Sequence, residues 1–257
     1  MTQPVIALPG GVLPAAQRYA YLKSVLGSDV YFHPKDLEVY AGDAPPSNYS
    51  ADLEIDALGR FADSLGASRF HLVGYSGGGF VSLAFAGAHP DRLLSLAVFE
   101  PARVPGDLSP EEAALDRDIR QALADQQGMD YMRTFFTRQV RPGVHLEPPS
   151  GPPEPWMRNR PAGIAAMMDA FVAYEFDRNQ LRNCNFPVFY GYGDQTSEMV
   201  ELEAARLARL FPDIHIRRFH GIHHFVSPEQ LYTPEHVEHL RDLWARAERG
   251  SLVASAS

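Results

Sequence analysis

One stretch constrains this chain more than any other. The apolar run Phe70-His71-Leu72-Val73 leads into Gly74-Tyr75-Ser76-Gly77-Gly78, and the apolar segment Phe80-Val81-Ser82-Leu83-Ala84-Phe85-Ala86 follows. Strand, tight turn and helix in that order set a serine at the tip of the turn. A serine there sits in strained backbone geometry, and glycines two residues before and after it let the neighbouring backbone close in. The following helix turns free N–H groups and the positive end of its dipole towards the serine, which favours negative charge developing there. The pattern points to a nucleophile; the plainer alternative is a glycine-rich turn that happens to carry a serine.

Around this stretch, strands and helices alternate. Val5-Ile6-Ala7-Leu8 reads as a buried strand broken by Pro9-Gly10-Gly11, and Ala15 to Leu26 as a helix ended by Gly27. Asp29 to His33 is the next strand. A helix capped by Ser50 or Asp52 runs to Leu65, and Leu94 to Phe99 is a strand that ends at Glu100-Pro101. This rhythm is that of a mostly parallel sheet with helices on both faces. It stops at Arg103. From there to Arg182 no convincing buried strand occurs, but helical stretches lie at Pro110–Gln127, Met129–Gln139 and Gly163–Phe176, with a proline-rich segment from Arg141 to Arg160 between the last two. Residues 103–182 therefore read as a helical cap inserted into a core made of 1–102 and 183–257. Met132, Phe135, Phe136, Trp156, Met167, Met168, Phe171 and Tyr174 would line a pocket under the cap, or form its own core. The sheet resumes at Phe186–Tyr190, followed by Gly191-Tyr192-Gly193-Asp194. A helix from Glu198 to Leu210, a strand at Ile214–Phe219 near a sheet edge, the loop Gly221-Ile222-His223-His224-Phe225 and a helix capped by Thr233 and running to Glu248 complete the pattern, with a fraying tail expected from Gly250.

The 257 residues, 45% hydrophobic and 21% charged, suit one large α/β domain with an insertion. Cys184 is the single cysteine, so no internal disulfide forms. A net charge of −9 speaks against nonspecific nucleic-acid binding and against anionic membranes. Neither a signal peptide nor an apolar run of membrane-span length is legible, which leads to a cytoplasmic expectation.

A serine needs a histidine base, and a carboxylate to fix the tautomer of that histidine. In an open α/β sheet such groups collect at the carboxyl ends of strands. Asp194 follows one strand end, and His223 and His224 follow the last strand, in the chain order Ser, Asp, His. His220 and His223 form a small cluster whose spacing fits no standard zinc motif, so neither metal nor organic cofactor is expected. The oxyanion of an acyl-transfer intermediate needs two backbone donors, one of them the N–H of Gly77.

From Val5 to about Leu243 the chain resembles the α/β-hydrolase superfamily, on the motifs Gly74-Tyr75-Ser76-Gly77-Gly78, Gly193-Asp194 and Gly221-Ile222-His223-His224-Phe225. The resemblance implies an α/β-hydrolase fold with a helical cap and a triad of Ser76, His224 and Asp194. His224 is picked over His223 because it precedes Phe225. Glu100 is the second choice for the acid, with Asp107 a little beyond it, because some relatives, thioesterase domains among them, place the acid after this strand. Relatives often carry His-Gly after the first strand; here Pro9 replaces the histidine, and the second oxyanion donor falls on Gly11, or on Val12 if the register moves by one. The implied activity is cleavage of a small ester, thioester or related acyl compound with an apolar part, through an acyl-enzyme on Ser76. Alternatives are thioester hydrolysis in a pathway, C–C bond hydrolysis, perhydrolysis, or a non-catalytic protein that binds a small ligand. Epoxide hydrolases and dehalogenases of this superfamily carry Asp where this chain has Ser76. Two N-terminal strands common in the superfamily are not legible ahead of Val5, which leaves a short sheet edge that a homodimer would cover.

Overall fold

The computed structural model describes residues 3–146 and 154–254, the last four of these by their backbone alone. The proline pairs Pro148-Pro149 and Pro152-Pro153 lie outside the described residues. In chain order the elements are β1 (Val5–Leu8), α1 (Ala15–Arg18), α2 (Ala20–Leu26), β2 (Phe32–Pro34), α3 (Ala51–Ser64), β3 (Phe70–Tyr75), α4 (Gly77–Ala88), β4 (Leu93–Phe99), α5 (Pro110–Leu123), α6 (Gly128–Arg138), α7 (Arg160–Ala173), α8 (Arg178–Arg182), β5 (Val188–Gly193), α9 (Met199–Ala208), β6 (Ile214–Phe219), α10 (Pro228–Leu231) and α11 (Pro234–Ala254). The six strands form one sheet in the order β2-β1-β3-β4-β5-β6, every pairing parallel.

Two apolar layers follow from the alternation of side chains along the strands. Ile6, Leu8, Leu72, Leu96, Val98, Val188 and Tyr190 face α3, α4 and α9. Val5, Ala7, Val73, Tyr75, Ala97, Phe99 and Phe189 face α2 and α11, where Trp244 is fully buried. Because both faces are covered, β3 and β4 are buried throughout and largely apolar, and their buried polar side chains, His71 and Ser95, are hydrogen-bonded to each other at 2.8 Å. β6, with its polar alternation, is the edge opposite β2. Among the described residues of 103–182 there is no strand beyond one antiparallel bridge between Val140 and Thr196, and α5, α6 and α7 occupy the stretches where helices were expected.

Several boundaries differ from expectation, among them α5, which ends at Leu123, and α7, which spans Arg160–Ala173. The single helix at Ala15–Leu26 is broken at Tyr19, whose buried hydroxyl donates to the Leu8 carbonyl at 2.6 Å. The second strand begins at Phe32, because Asp29 ends a 3₁₀ turn. β5 extends to Gly193, carried by parallel pairing with β6. The final helix continues to Ala254 instead of fraying at Gly250.

The spacing of the glycines around Ser76 has a steric cause. A β-carbon on Gly78 would lie 2.4 Å from the carbonyl oxygens of Leu8 and Pro9, and one on Gly74 would lie 2.4 Å from Ser82 Oγ. The Gly78 contacts are backbone atoms of β1 and the loop after it, which cannot rotate away. Gly78→Ala is expected to cost on the order of 2–3 kcal/mol, the range of an overpacked core, measured by urea denaturation.

His236 ties stability to pH. It is buried on α11 among Phe99, Phe219 and Tyr232, with Nδ1 donating to the Leu231 carbonyl at 3.0 Å. Burial pushes it down from 6.5 to about 4. Between those values the unfolded chain binds the proton and the folded chain does not, so stability is full above pH 6.5 and falls as pH drops towards 4. The slope from this residue approaches about 1.4 kcal/mol per pH unit. His236→Phe is expected to flatten that part of the stability curve, read from urea midpoints across the window.

Candidate active site

Ser76 stands between β3 and α4 with φ 52° and ψ −117°, held by its N–H to the Phe99 carbonyl at 3.0 Å. Among the described residues, the non-glycine residues with positive φ are Ser76 and Glu100, at 52° and 42°. Each terminates a central strand, and strain of this kind gathers where function over-determines the backbone. His224 comes from the loop after β6. Its Nε2 is 3.0 Å from Ser76 Oγ, and its Nδ1 is 2.6 Å from Glu100 Oε2. All three side chains are nearly buried, at 8%, 4% and 2% exposure for Ser76, His224 and Glu100.

The tautomer follows from the partners. Glu100 Oε1 accepts from the Gly193 N–H at 2.7 Å and from the Thr196 hydroxyl at 2.6 Å, as a carboxylate does. Its other oxygen then accepts from an Nδ1–H, which leaves the Nε2 lone pair for the Ser76 hydroxyl proton. The ring is fixed further by stacking on Tyr75 at 5.1 Å and by the Tyr75 hydroxyl, which donates to the His224 carbonyl.

The expectation that Asp194 orients His224 is corrected here. Asp194 accepts instead from the Gly221 N–H at 2.8 Å and pairs with exposed His220 at 2.7 Å. Burial raises its carboxyl slightly, but the Gly221 N–H and His220 outweigh that and hold it below the usual carboxylate range. Glu100 follows β4, which pairs directly with the strand that leads to Ser76, whereas Asp194 follows β5 and its carboxyl is taken up by His220 and the Gly221 N–H. Asp107, the more distant candidate, is paired at the surface with Arg178 at 2.7 Å. His223 does not point at Ser76; its Nδ1 accepts from the Phe225 N–H at 3.1 Å.

Gly77 is the first residue of α4, and it lines the same cavity as Gly11 and Ser76. The loops are tied together by the Gly78 N–H, which donates to the Pro9 carbonyl at 2.9 Å. The Gly11 peptide is oriented by Tyr40, whose hydroxyl donates to the Gly11 carbonyl at 2.7 Å. Both glycines sit against Met167: a β-carbon would lie 2.6 Å from its Cε at Gly11 and 3.2 Å from its Sδ at Gly77, so a side chain at either position would push the Met167 chain aside.

The cavity over Ser76 has a volume of about 140 Å³. That is close to the engineered apolar void of about 150 Å³ that takes up one benzene. Of the aromatic and methionine residues expected to line it, Phe135, Met167, Met168 and Phe171 do. Phe136 instead packs on Phe225, and Tyr174 on Phe80. Leu108, Ile119 and Ile164 add to the apolar wall, while Arg103, Asp116, Arg120, Gln139, Glu203 and Arg206 are among its polar groups, for which the sequence carries no motif. Arg18 is a further surprise: it is buried, 4.0 Å above the Tyr75 ring, beside a small recess shared with Ser76 and His224.

Comparison with known proteins agrees with this architecture. A family model described as alpha/beta hydrolase fold matches residues 33–229. The chain belongs to the α/β-hydrolase fold family. Among solved α/β-hydrolase structures it is similar to one reported in a study of carboxylesterases of Nitrososphaera gargenis, at 15% identity and TM-score 0.68, covering 97% of this chain and 92% of that one. It is also similar to a thermophilic esterase from Thermogutta terrifontis, at 21% identity and TM-score 0.68, covering 96% and 91%. A stretch of 54 residues is 43% identical to the Caulobacter segnis protein named "Putative carbamate hydrolase RutD". That match covers 21% of this chain and 20% of the relative, so the chain spans about a fifth of the length of the curated relative it matches. Among the described residues, no helix of this α/β-hydrolase is long and apolar enough to cross a membrane.

Proposed function

We propose that this α/β-hydrolase is a serine hydrolase that cleaves a small ester, thioester or related acyl substrate through an acyl-enzyme on Ser76. The observation that carries the reading is the continuous hydrogen-bonded chain from Ser76 Oγ through His224 to Glu100. In this mechanism Ser76 Oγ attacks the acyl carbonyl while His224 Nε2 takes its proton. Glu100 keeps the Nδ1–H in place and stabilises the imidazolium. The N–H groups of Gly77 and Gly11 receive the oxyanion. His224 then protonates the leaving group, and water, activated by the same Nε2, releases the acid. Residues 103–182 serve as a cap whose helices α5, α6 and α7 wall off the cavity. The cavity volume favours short acyl chains, and the esterases among the structural relatives agree with carbonyl chemistry.

Intact mass after incubation with a fluorophosphonate tests this reading. One adduct is expected on the wild type and none on Ser76→Ala. A wild type left unlabelled, under conditions where the probe reaches the cavity, sinks the covalent mechanism.

A further inference from the structure

The cavity over Ser76 has a polar end, built by α9. Glu203 lines it and is 5% exposed, and among the described residues no hydrogen bond or ion pair engages its carboxyl. A carboxyl on a buried residue that opens onto a cavity with no protein partner is set to receive one from a ligand. The neighbouring charges are already committed. Arg206, one helical turn further on, pairs with Glu112 at 3.1 Å and donates to the Gly106 carbonyl at 3.2 Å. Arg120 is held by Asp116 at 2.8 Å, and Glu100 by His224 at 2.6 Å. Arg103 borders the same cavity without forming an ion pair with Glu203.

We propose that Glu203 determines substrate specificity by receiving an uncharged group that both donates and accepts hydrogen bonds, such as a hydroxyl or primary amide, at the far end of the acyl chain. This rests on the serine-hydrolase reading of Ser76. The chemistry of the wall selects the class. Arg103, Arg120 and Arg206 oppose a cation, while Glu100 and Asp116 at the cavity wall, and Glu112 behind Arg206, oppose an anion. Burial raises the Glu203 carboxyl to about 8; Arg206 and Arg103 oppose the shift, and Glu112 and Glu100 add to it. The unpartnered carboxyl offers the cavity an acceptor in either form, and its raised hold on a proton adds a donor. A site built to hydrogen-bond such a group discriminates strongly against an analogue that lacks it, because its own polar atoms are then left unpaired.

The test uses matched short acyl methyl esters ending in methyl, hydroxyl or ammonium. Their binding to the Ser76→Ala protein is measured by calorimetry, and kcat/KM is measured with Ser76 intact. The hydroxyl ester is expected to bind at least about tenfold tighter than the methyl ester, with a matching advantage in kcat/KM. Glu203→Gln, which keeps a donor and an acceptor, is expected to preserve that preference, and Glu203→Leu to reverse it. Equal preference in the unsubstituted cavity and in Glu203→Leu, or tightest binding of the ammonium ester, overturns the assignment. If Glu203→Leu does not fold, absence of a hydroxyl preference in the Ser76→Ala protein still overturns it. Fluorophosphonate labelling run alongside separates the two claims. Labelling without discrimination removes the role of Glu203 alone; absent labelling removes the hydrolase reading, and the calorimetry still judges Glu203.

Discussion

Ser76→Ala is expected to lower kcat by about a million-fold on any ester the wild type turns over, with a melting temperature close to that of the wild type. The size follows from the loss of the covalent route. Without Oγ there is no acyl-enzyme, His224 has no proton to take, and the residual rate comes only from binding and oxyanion donors. Stability should change little, because alanine fits wherever serine did and the Ser76 backbone bonds to Phe99, Phe80 and Ala102 do not involve the hydroxyl. Turnover within a hundredfold of the wild type would show that another group attacks the carbonyl.

The second large effect separates two carboxylates. Glu100→Gln is expected to lower kcat/KM by about 10³–10⁴-fold, whereas Asp194→Asn should stay within about threefold of the wild type. Glutamine retains the volume of Glu100 and an oxygen for the Gly193 N–H and Thr196 hydroxyl. It also turns an amide N–H towards Nδ1, which favours the tautomer with Nε2 protonated. That tautomer has no lone pair for the serine proton. Asp194→Asn loses part of a surface contact with His220 and the Gly221 loop, far from that exchange. A larger loss for Asp194→Asn than for Glu100→Gln would reverse the assignment. Circular dichroism melts on both variants guard against reading instability as lost chemistry.

Much of the architecture was legible along the chain. The buried parallel strands are largely apolar, and the helices between them end at Gly27 and Gly66, both with φ near 68°. The elbow was legible for the same kind of reason: Gly74 and Gly78 are demanded by contacts of 2.4 Å that no side chain permits. His224 was separable from His223 only through resemblance; the hydrogen bond to Ser76 Oγ rests on the path of the loop after β6. Glu100 carried one faint signal, a lone carboxylate closing the apolar strand β4. Its left-handed backbone, which aims the carboxyl at His224, has no signature in a glutamate. Glu203 carried none, since a glutamate on an amphipathic helix ordinarily faces water.

The amino-acid order alone determined the alternation of strand and helix, the strained serine and the break in rhythm after Arg103, because each is a local matter of periodicity and steric fit. Which carboxylate meets the imidazole, which glycines share the cavity and which glutamate is sealed within it were decided by the tertiary structure. Strand order sets the distance between residues remote in sequence, and burial sets the electrostatic cost that gives each carboxyl its character.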